Sequence, residues 1–328
     1  MVGSAPLPRF ARGFTSALAT LVVAVVVLAA CGATGPAGNA RPLVVTTTTH
    51  LADFATAIGG DAVEVYSLLR PNIDAHDFEP SPADIDALAR ADVIVANGVG
   101  LEPWLAAAVQ ASGTTVEVTD TSEGVLLLRG DEPDHDHAVG SATEVEDSNR
   151  GGWNPHIWLD PQNARVMAAN VADALAVALP SSATAIAARA DGYDTELKAL
   201  DVELSLQLAD LTSRKLVTDH DAFTYFAAHF DLEVVGSVIP SFDSSAEVSA
   251  GDLAALAELI ERESVSAIFT EQSLPDDAAQ ALARRVDVVV VSGESGLYAD
   301  SLGAPGSAGG TYLEMMRHNA RTIAEHLR

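Results

Sequence analysis

Hydrophobic and polar residues follow two different periods along most of the chain. Short runs rich in β-branched residues, such as 43–49 and 92–96, are typical of buried strands. Longer stretches between these runs carry apolar residues at helical spacing, and one of them opens with Ser81-Pro82, a typical helix start. Strands that alternate with helices in this way predict parallel α/β sheets.

The alternation of strands and helices occurs twice, on either side of one long helical stretch. We expect an N-terminal α/β lobe at residues 43–181, a linker helix at 182–212 and a C-terminal α/β lobe at 213–328. A helix of that length spans ~40 Å, which is enough to bridge two lobes. The predicted fold class is therefore α/β with two parallel-sheet lobes, and ligands of such folds often bind between the lobes.

One segment interrupts the N-terminal lobe. Residues 131–153 contain many acidic residues, several glycines and two histidines, His135 and His137, but few apolar residues. This composition predicts a mobile loop.

The N-terminus has the pattern of a targeting signal. Arg9 and Arg12 precede an apolar run at 14–30, which predicts a signal peptide at 1–30. Cys31 follows small residues and resembles the lipidation site of bacterial lipoproteins, where two acyl chains give stable anchoring. We therefore expect residues 31–42 to comprise a lipidated cysteine followed by a tether. The tether is expected to be flexible because it is rich in glycine, alanine and proline. The alternative is an uncleaved transmembrane helix, since the apolar run is close to the shortest spanning length.

These features predict an extracytoplasmic protein that is lipid-anchored to the cell membrane, on a Gram-positive surface or in a Gram-negative periplasm. Cys31 is the only cysteine, so an intrachain disulfide is excluded. The formal net charge is −28, which argues against nucleic-acid binding because that function needs a basic face. Such acidity suits a protein whose ligand is a cation, although surface solvation explains most of it.

Three of the nine histidines share a local setting. His76, His156 and His220 each lie among turn or helix-start residues after a strand-like segment. A single histidine in a loop is more often a surface or packing residue, but three in comparable positions shift the balance. Two belong to the N-terminal lobe and one to the C-terminal lobe, so they could converge at a cleft between the lobes.

Five motifs, in this order along the chain, resemble those of the metal-binding receptors of ABC importers, the cluster that handles zinc, manganese and iron. The resemblance extends from Leu43 to Arg328. The motifs are His-Asp-Phe-Glu-Pro-Ser-Pro at 76–82, Asn-Gly-Val-Gly-Leu-Glu at 97–102, Asn-Pro-His-Ile-Trp-Leu-Asp-Pro at 154–161, Asp-His-Asp-Ala-Phe-Thr-Tyr-Phe at 219–226 and Tyr-Ala-Asp-Ser-Leu-Gly at 298–303.

Position by position, this resemblance implies that His76, His156, His220 and Asp300 bind one metal ion per chain. It also implies that the linker helix is rigid and that the metal lies between the lobes. The implied partners are the permease and ATPase of an ABC importer, and the implied function is solute binding without catalysis. We expect a monomer.

Position 220 bears on the choice of metal. Manganese-type receptors of this cluster have glutamate there, whereas His220 gives three imidazoles and one carboxylate. Imidazole suits zinc while manganese prefers oxygen, and four such ligands complete a tetrahedral zinc shell. The ligand set resembles that of the zinc-specific AztC-like subgroup, so the resemblance implies high-affinity zinc binding.

Other residues are candidates for supporting roles. Glu271 follows the predicted strand 267–270, so we expect its side chain to face the cleft and to accept a hydrogen bond from a ligand imidazole. His50 ends the first predicted strand, and we expect it to pack or hydrogen-bond near the site rather than to act as a metal ligand, which is the alternative. His135 and His137 could capture zinc directly or accept it from a metallochaperone, or they could belong to a merely solvated acidic loop.

Three other functions compete with zinc delivery. A manganese or iron receptor would share the fold and the type of partner. A surface adhesin would not need the four ligands. A zinc hydrolase needs an open coordination position, which Asp300 would fill, and the sequence lacks a His-Glu-x-x-His motif, so we expect no enzymatic activity.

Overall fold

The computed structural model describes residues 1–3, 5, 41–129, 140–141 and 152–328. The chain forms two compact units, Met1–Arg41 and Pro42–Arg328, and the fold described below is that of the second. The cleavage site of the predicted signal peptide, the predicted lipidation of Cys31 and the predicted capture of zinc by His135 and His137 fall outside the described residues.

Pro42–Arg328 contains two four-stranded sheets whose recorded strand pairings are all parallel. The strand orders are β2-β1-β3-β4 in the N-terminal lobe and β10-β9-β7-β8 in the C-terminal lobe. The strands are β1 (Leu43–Thr46), β2 (Glu64–Ser67), β3 (Val93–Ala96), β4 (Val118–Asp120), β7 (Lys215–Thr218), β8 (Glu233–Ser237), β9 (Ala267–Phe269) and β10 (Val289–Val291). The prediction of two parallel-sheet α/β lobes is confirmed.

Helices cover these sheets and connect their strands. They are α1 (Thr49–Gly59), α2 (Pro82–Arg90), α3 (Leu105–Ser112), α4 (Pro161–Ala178), α5 (Ala183–Gln207), α6 (Thr224–His229), α7 (Ala250–Glu263), α8 (Asp277–Val286) and α9 (Tyr312–Leu327). A short antiparallel pair joins β5 (Leu126–Leu127) to β6 (Gly140–Ser141), so the segment predicted as a loop contains a two-residue strand.

Burial explains why the central strands form. Every residue of β1 and of β3 is buried, because helices lie on both faces of the sheet. Such strands need nearly continuous apolar sequence, which is the pattern that predicted them. The edge strand β2 is partly exposed, which fits its mixed polar and apolar sequence.

The linker helix α5 runs from Ala183 to Gln207, inside the predicted range 182–212. It has 25 residues and therefore spans roughly 37 Å. One face is buried through Ile186, Tyr193, Leu197, Leu200 and Leu204. Because this continuous helix is packed along its length, it makes a stiff connection between the lobes.

The C-terminal lobe contains a helix that the sequence analysis did not predict. Helix α8 buries Ala279, Leu282 and Ala283, which are three to four residues apart and mark one helical face. The valine-rich run at 286–291 predicts a strand that begins at Val286, but this prediction is wrong because α8 continues to that residue. Asp287 adopts a left-handed conformation with φ 53°, which ends α8 and delays β10 to Val289.

Within the described part of the chain, no single helix is long and apolar enough to cross a membrane. Helix α4 and the segment Pro180–Gln207 pass the same length and composition test as a pair, at a bend of 117°. Met167, Val171 and Leu175 of α4 are fully buried, which is ordinary for a core helix.

The charged side chain of His229 links helices α4, α5 and α6. His229, in α6, has its Nδ1 3.0 Å from Asp160 Oδ1 and its Nε2 2.7 Å from Asp201 Oδ1. Asp160 caps α4, and Asp201 lies in the linker helix α5. Burial opposes the charge, but the hydrogen bonds and charges of the two carboxylates outweigh it and raise the pKa of His229 to about 9.

This contact predicts a pH-dependent contribution to stability. The folded-state pKa of His229, about 9, exceeds its ordinary value of 6.5, so the contribution is complete below the lower value and is lost as the pH rises through the higher one. We expect His229→Gln to lower the free energy of unfolding by on the order of 2–3 kcal/mol near pH 6 and by much less near pH 10. Urea unfolding across this range measures the difference.

His326→Gln is the matched control, because Nδ1 of His326 contacts the backbone carbonyl oxygen of Thr322 rather than a carboxylate. The pH dependence should stay unchanged in the control. An equal loss of stability at every pH in His229→Gln would contradict the predicted ion pairs.

Candidate metal centre

Four side chains from separate loops converge between the lobes. Ligand atoms of His76, His156, His220 and Asp300 all lie within 4.8 Å of one another. His76 lies between β2 and α2, and His156 begins a 3-10 turn at Ile157–Leu159. His220 lies two residues beyond the end of β7, and Asp300 lies in the loop before α9. Each lobe therefore supplies two of the four side chains.

His156 lies at the centre of the group. Its Nε2 is 3.3 Å from His76 Nε2, 3.2 Å from His220 Nε2 and 3.0 Å from Asp300 Oδ1. The Asp300 carboxylate is 3.8 Å from His76 Nε2 and 3.6 Å from His220 Nε2. Ligands of a tetrahedral zinc ion with bonds of 2.0–2.1 Å are about 3.3–3.4 Å apart, so the observed distances of 3.0–3.8 Å are close to those of a tetrahedral shell.

The same spacing is poorly satisfied by hydrogen bonds alone. One Nε2 atom carries at most one proton, whereas Nε2 of His156 faces two imidazole nitrogens and a carboxylate oxygen. Burial lowers the pKa of His156 to about 4, despite the opposing effect of Asp300, so this imidazole is neutral. A divalent cation would satisfy the three nitrogens and the carboxylate together.

The centre is buried and electrostatically coupled. His156, His220 and Asp300 are fully buried, whereas the His76 side chain is 9% exposed. Burial opposes the charge of His220, but the carboxylates of Glu271 and Asp300 raise its pKa well above the usual value. Burial likewise opposes the charge of Asp300, but His220 and His156 hold its pKa well below the usual value.

A neutral amide supports His156 from behind. Asn154 Oδ1 accepts a hydrogen bond from the His156 backbone N at 3.0 Å and lies 2.7 Å from His156 Nδ1. The Asn154 amide nitrogen donates to Asp221 O at 2.8 Å and to Thr224 Oγ1 at 3.0 Å, both in the C-terminal lobe. The sequence analysis did not assign this role, and its only signal is the Asn-Pro-His order of the motif.

A carboxylate supports His220. Glu271 Oε1 lies 2.7 Å from His220 Nδ1, which agrees with the expectation that this side chain faces the cleft. Burial and the charge of Asp300 raise the pKa of Glu271, whereas the adjacent His220 favours its charged form.

His50 lies behind the centre and outside the group of four. It is fully buried and stacks on Trp158 with ring centroids 4.7 Å apart. Burial lowers the pKa of His50 to about 3, so the ring is neutral. Trp158 in turn contacts the His156 ring at 5.3 Å and donates from Nε1 to Ala299 O at 3.0 Å. Of the two roles expected for His50, the geometry shows packing through Trp158.

On the solvent side, a hydrogen bond between the lobes lies next to His76. Asp74 Oδ1 accepts from the His76 backbone N at 2.8 Å, and Asp74 Oδ2 accepts from Ser244 Oγ at 2.6 Å. Ser244 belongs to the loop between β8 and α7. The most exposed of the four side chains is therefore positioned by both lobes.

Residues 44–326 match the family model described as ZnuA, zinc-uptake complex component A, periplasmic. The chain is 30% identical to the zinc-binding protein TroA of Treponema pallidum over 91% of this chain and 92% of TroA. It is also 27% identical to the manganese-binding lipoprotein MntA of Bacillus subtilis over 95% of this chain and 98% of MntA.

A third relative is longer. The chain is 30% identical to the zinc-binding protein AdcA of Streptococcus pyogenes over 85% of this chain, but it spans only 55% of AdcA. Among solved structures, the periplasmic zinc-binding protein TroA from Treponema pallidum superposes with a TM-score of 0.76 and 28% identity, covering 88% of this chain and 99% of that chain.

The support of His156 by Asn154 is testable. Asn154→Ala removes hydrogen bonds to both lobes and should lower the free energy of unfolding by about 2–3 kcal/mol. It should also shift the ring ¹⁵N NMR signals of His156, because Nδ1 loses its partner. Thermal unfolding and histidine NMR measure the two effects.

Asn170→Ala is the control, since Asn170 donates to Thr121 O and Glu123 O within the N-terminal lobe. This variant should lose stability without a shift of the His156 signals. Unchanged His156 signals in Asn154→Ala would show that the amide does not orient the ring.

Proposed function

Because the chain belongs to the family of periplasmic component A of zinc-uptake complexes, we propose that it is the extracytoplasmic zinc receptor of an ABC importer. Members of this family are solute-binding proteins rather than enzymes. The observation that carries the proposal is the convergence of His76, His156, His220 and Asp300 at tetrahedral spacing. In this proposal the metal is the cargo, one ion per chain, and the permease and ATPase of the importer are the partners.

The preference for zinc rests on donor chemistry. The proposed ligands offer three imidazole nitrogens and one carboxylate. Imidazole binds zinc well, whereas manganese prefers oxygen ligands. Four donors suffice for a tetrahedral zinc ion.

Manganese delivery is the second candidate. It is favoured by the similarity to MntA, whose name records manganese binding and which matches 95% of this chain. The two candidates share the receptor role and differ only in the metal.

Metal titration distinguishes the two candidates. With the metal-stripped chain from residue 32 onward, we expect one tightly bound zinc ion and much weaker manganese binding in competition with a chelator. His220→Ala should weaken zinc binding by at least about 100-fold, since loss of a partner behind a ligand alone costs about 10–100-fold. His220→Glu should shift the zinc-to-manganese affinity ratio towards manganese, because it replaces a nitrogen donor with oxygen.

His326→Ala is the control, since His326 lies in α9 and outside the group of four. It should bind zinc as the unchanged protein does. Tight manganese binding with weak zinc binding would favour the second candidate, and no tight binding of either metal would reject the ligand assignment.

We also propose that Cys31 anchors the exported protein to the membrane through lipid. The sequence Leu28-Ala29-Ala30-Cys31 supports this modification. Capture of zinc by His135 and His137, transfer from a metallochaperone and the monomeric state stay predictions from the sequence.

Cys31→Ser tests the anchor. We expect the unchanged protein in the membrane fraction, with a lipid mass on its N-terminal peptide, because two acyl chains hold it there. Cys31→Ser should lack this mass, whereas the control Thr34→Ser should keep it. If the unchanged protein itself is retained in the membrane without cleavage and without lipid, residues 14–30 would instead be a transmembrane helix.

A further inference from the structure

A single carboxylate contacts both of the proposed ligands from the C-terminal lobe. Glu271 follows β9 and is 2% exposed. Its Oε1 lies 2.7 Å from His220 Nδ1, and its Oε2 accepts a hydrogen bond from the Asp300 backbone N at 3.2 Å. The two oxygens therefore link a ligand side chain to the backbone of another ligand.

The backbone of Glu271 is also fixed by hydrogen bonds. Its N–H donates to Asp219 Oδ2 at 2.5 Å, while Asp219 Oδ1 accepts from the His220 N–H at 2.8 Å. Glu271 also forms a parallel bridge with Leu297, close to Asp300 in the chain. The end of β7, the end of β9 and the Asp300 loop are thus tied into one closed hydrogen-bonded arrangement.

We propose that Glu271 is a positioning residue that presents His220 and Asp300 to the metal as one preformed unit and strengthens the preference for zinc over manganese. This inference rests on the proposed function. A carboxylate beside Nδ1 keeps the proton on that nitrogen, so the lone pair of Nε2 faces the metal. It also makes the imidazole a stronger donor, which favours zinc because zinc accepts nitrogen ligands more readily than manganese does.

A second metal ion between Asp219, His220 and Glu271 is the competing interpretation. Their ligand atoms also lie within 4.8 Å of one another. However, both oxygens of Asp219 already accept backbone N–H groups, from His220 and Glu271. The cluster is therefore better explained as a support for His220, whose backbone N–H donates to Asp219, than as a separate metal site.

The two buried imidazoles have unequal supports. His156 Nδ1 faces the neutral amide oxygen of Asn154 at 2.7 Å, whereas His220 Nδ1 faces the carboxylate of Glu271. A change of charge at position 271 should therefore act mainly through His220.

The test compares Glu271→Gln, which keeps an acceptor oxygen without the charge, with Glu271→Ala, which removes both. Zinc and manganese affinities are measured by chelator competition, and the ring ¹⁵N signals of His220 are measured by NMR in the zinc-bound protein. In Glu271→Gln we expect zinc affinity to fall about 10- to 100-fold and the zinc-to-manganese affinity ratio to fall at least about tenfold. Glu271→Ala should lose more zinc affinity and shift the Nδ1 signal of His220, because that nitrogen loses the neighbouring carboxylate.

Glu258→Gln is the matched control, because Glu258 is an exposed acid in α7 of the same lobe. It should keep the affinities of the unchanged protein. If Glu271→Ala does not fold, as judged by circular dichroism, Glu271→Gln alone decides the test.

An affinity ratio within about threefold of the unchanged protein in Glu271→Gln would overturn the inference, since charge at this position would then not affect selectivity. An unchanged protein that binds no zinc would instead reject the proposed function. The two failures are therefore distinguishable. A stoichiometry of two zinc ions per chain that falls to one in Glu271→Gln would support the competing second site and would also overturn the inference.

Discussion

Burial of the Asp300 carboxylate is the constraint on which the rest of the centre depends. A fully buried charge is costly unless it is paired and hydrogen-bonded. Contacts from the N-terminal lobe hold the residues on either side, because Trp158 donates to Ala299 O and Thr49 Oγ1 accepts from the Leu302 N–H at 2.8 Å. Asp300 is therefore kept among the imidazoles by a loop that both lobes hold in place.

Glycine makes the shape of that loop possible. The Tyr298 ring packs so closely against Gly309 that a Cβ there would lie 2.6 Å from a ring carbon. The buried Tyr298 ring also makes an edge-to-face contact with His318 of α9, with centroids 5.1 Å apart. The position of Asp300 thus depends on the packing of the Tyr298 ring, two residues before Asp300, against Gly309, as well as on the ion pairs of Asp300 itself.

Sequence patterns predicted what depends on local spacing and left out what depends on distant contacts. Strands β1 and β3 were predictable because strands buried on both faces need continuous apolar residues. Helix α8 was missed because its buried face consists of only three residues, two of which are alanines, and because it ends at a left-handed Asp287. Asp300 was reached only through family resemblance. The contacts of Asn154 with Asp221 and Thr224 span 67 and 70 positions, so no local pattern could reveal them.

Unequal burial gives the four converging side chains different physical roles. His156, His220 and Asp300 have no solvent-exposed surface and are backed by Asn154 and Glu271, so their geometry is set by the protein interior. His76 retains 9% of its side-chain surface, and the hydrogen bond from Ser244 to Asp74 lies beside it. His76 is thus the one of the four side chains that solvent reaches, and it lies beside the Ser244–Asp74 hydrogen bond that joins the lobes. The linker helix α5 can stay rigid while the structure opens locally beside His76. Breaking the single hydrogen bond between Ser244 and Asp74 needs far less free energy than separating the packed lobes.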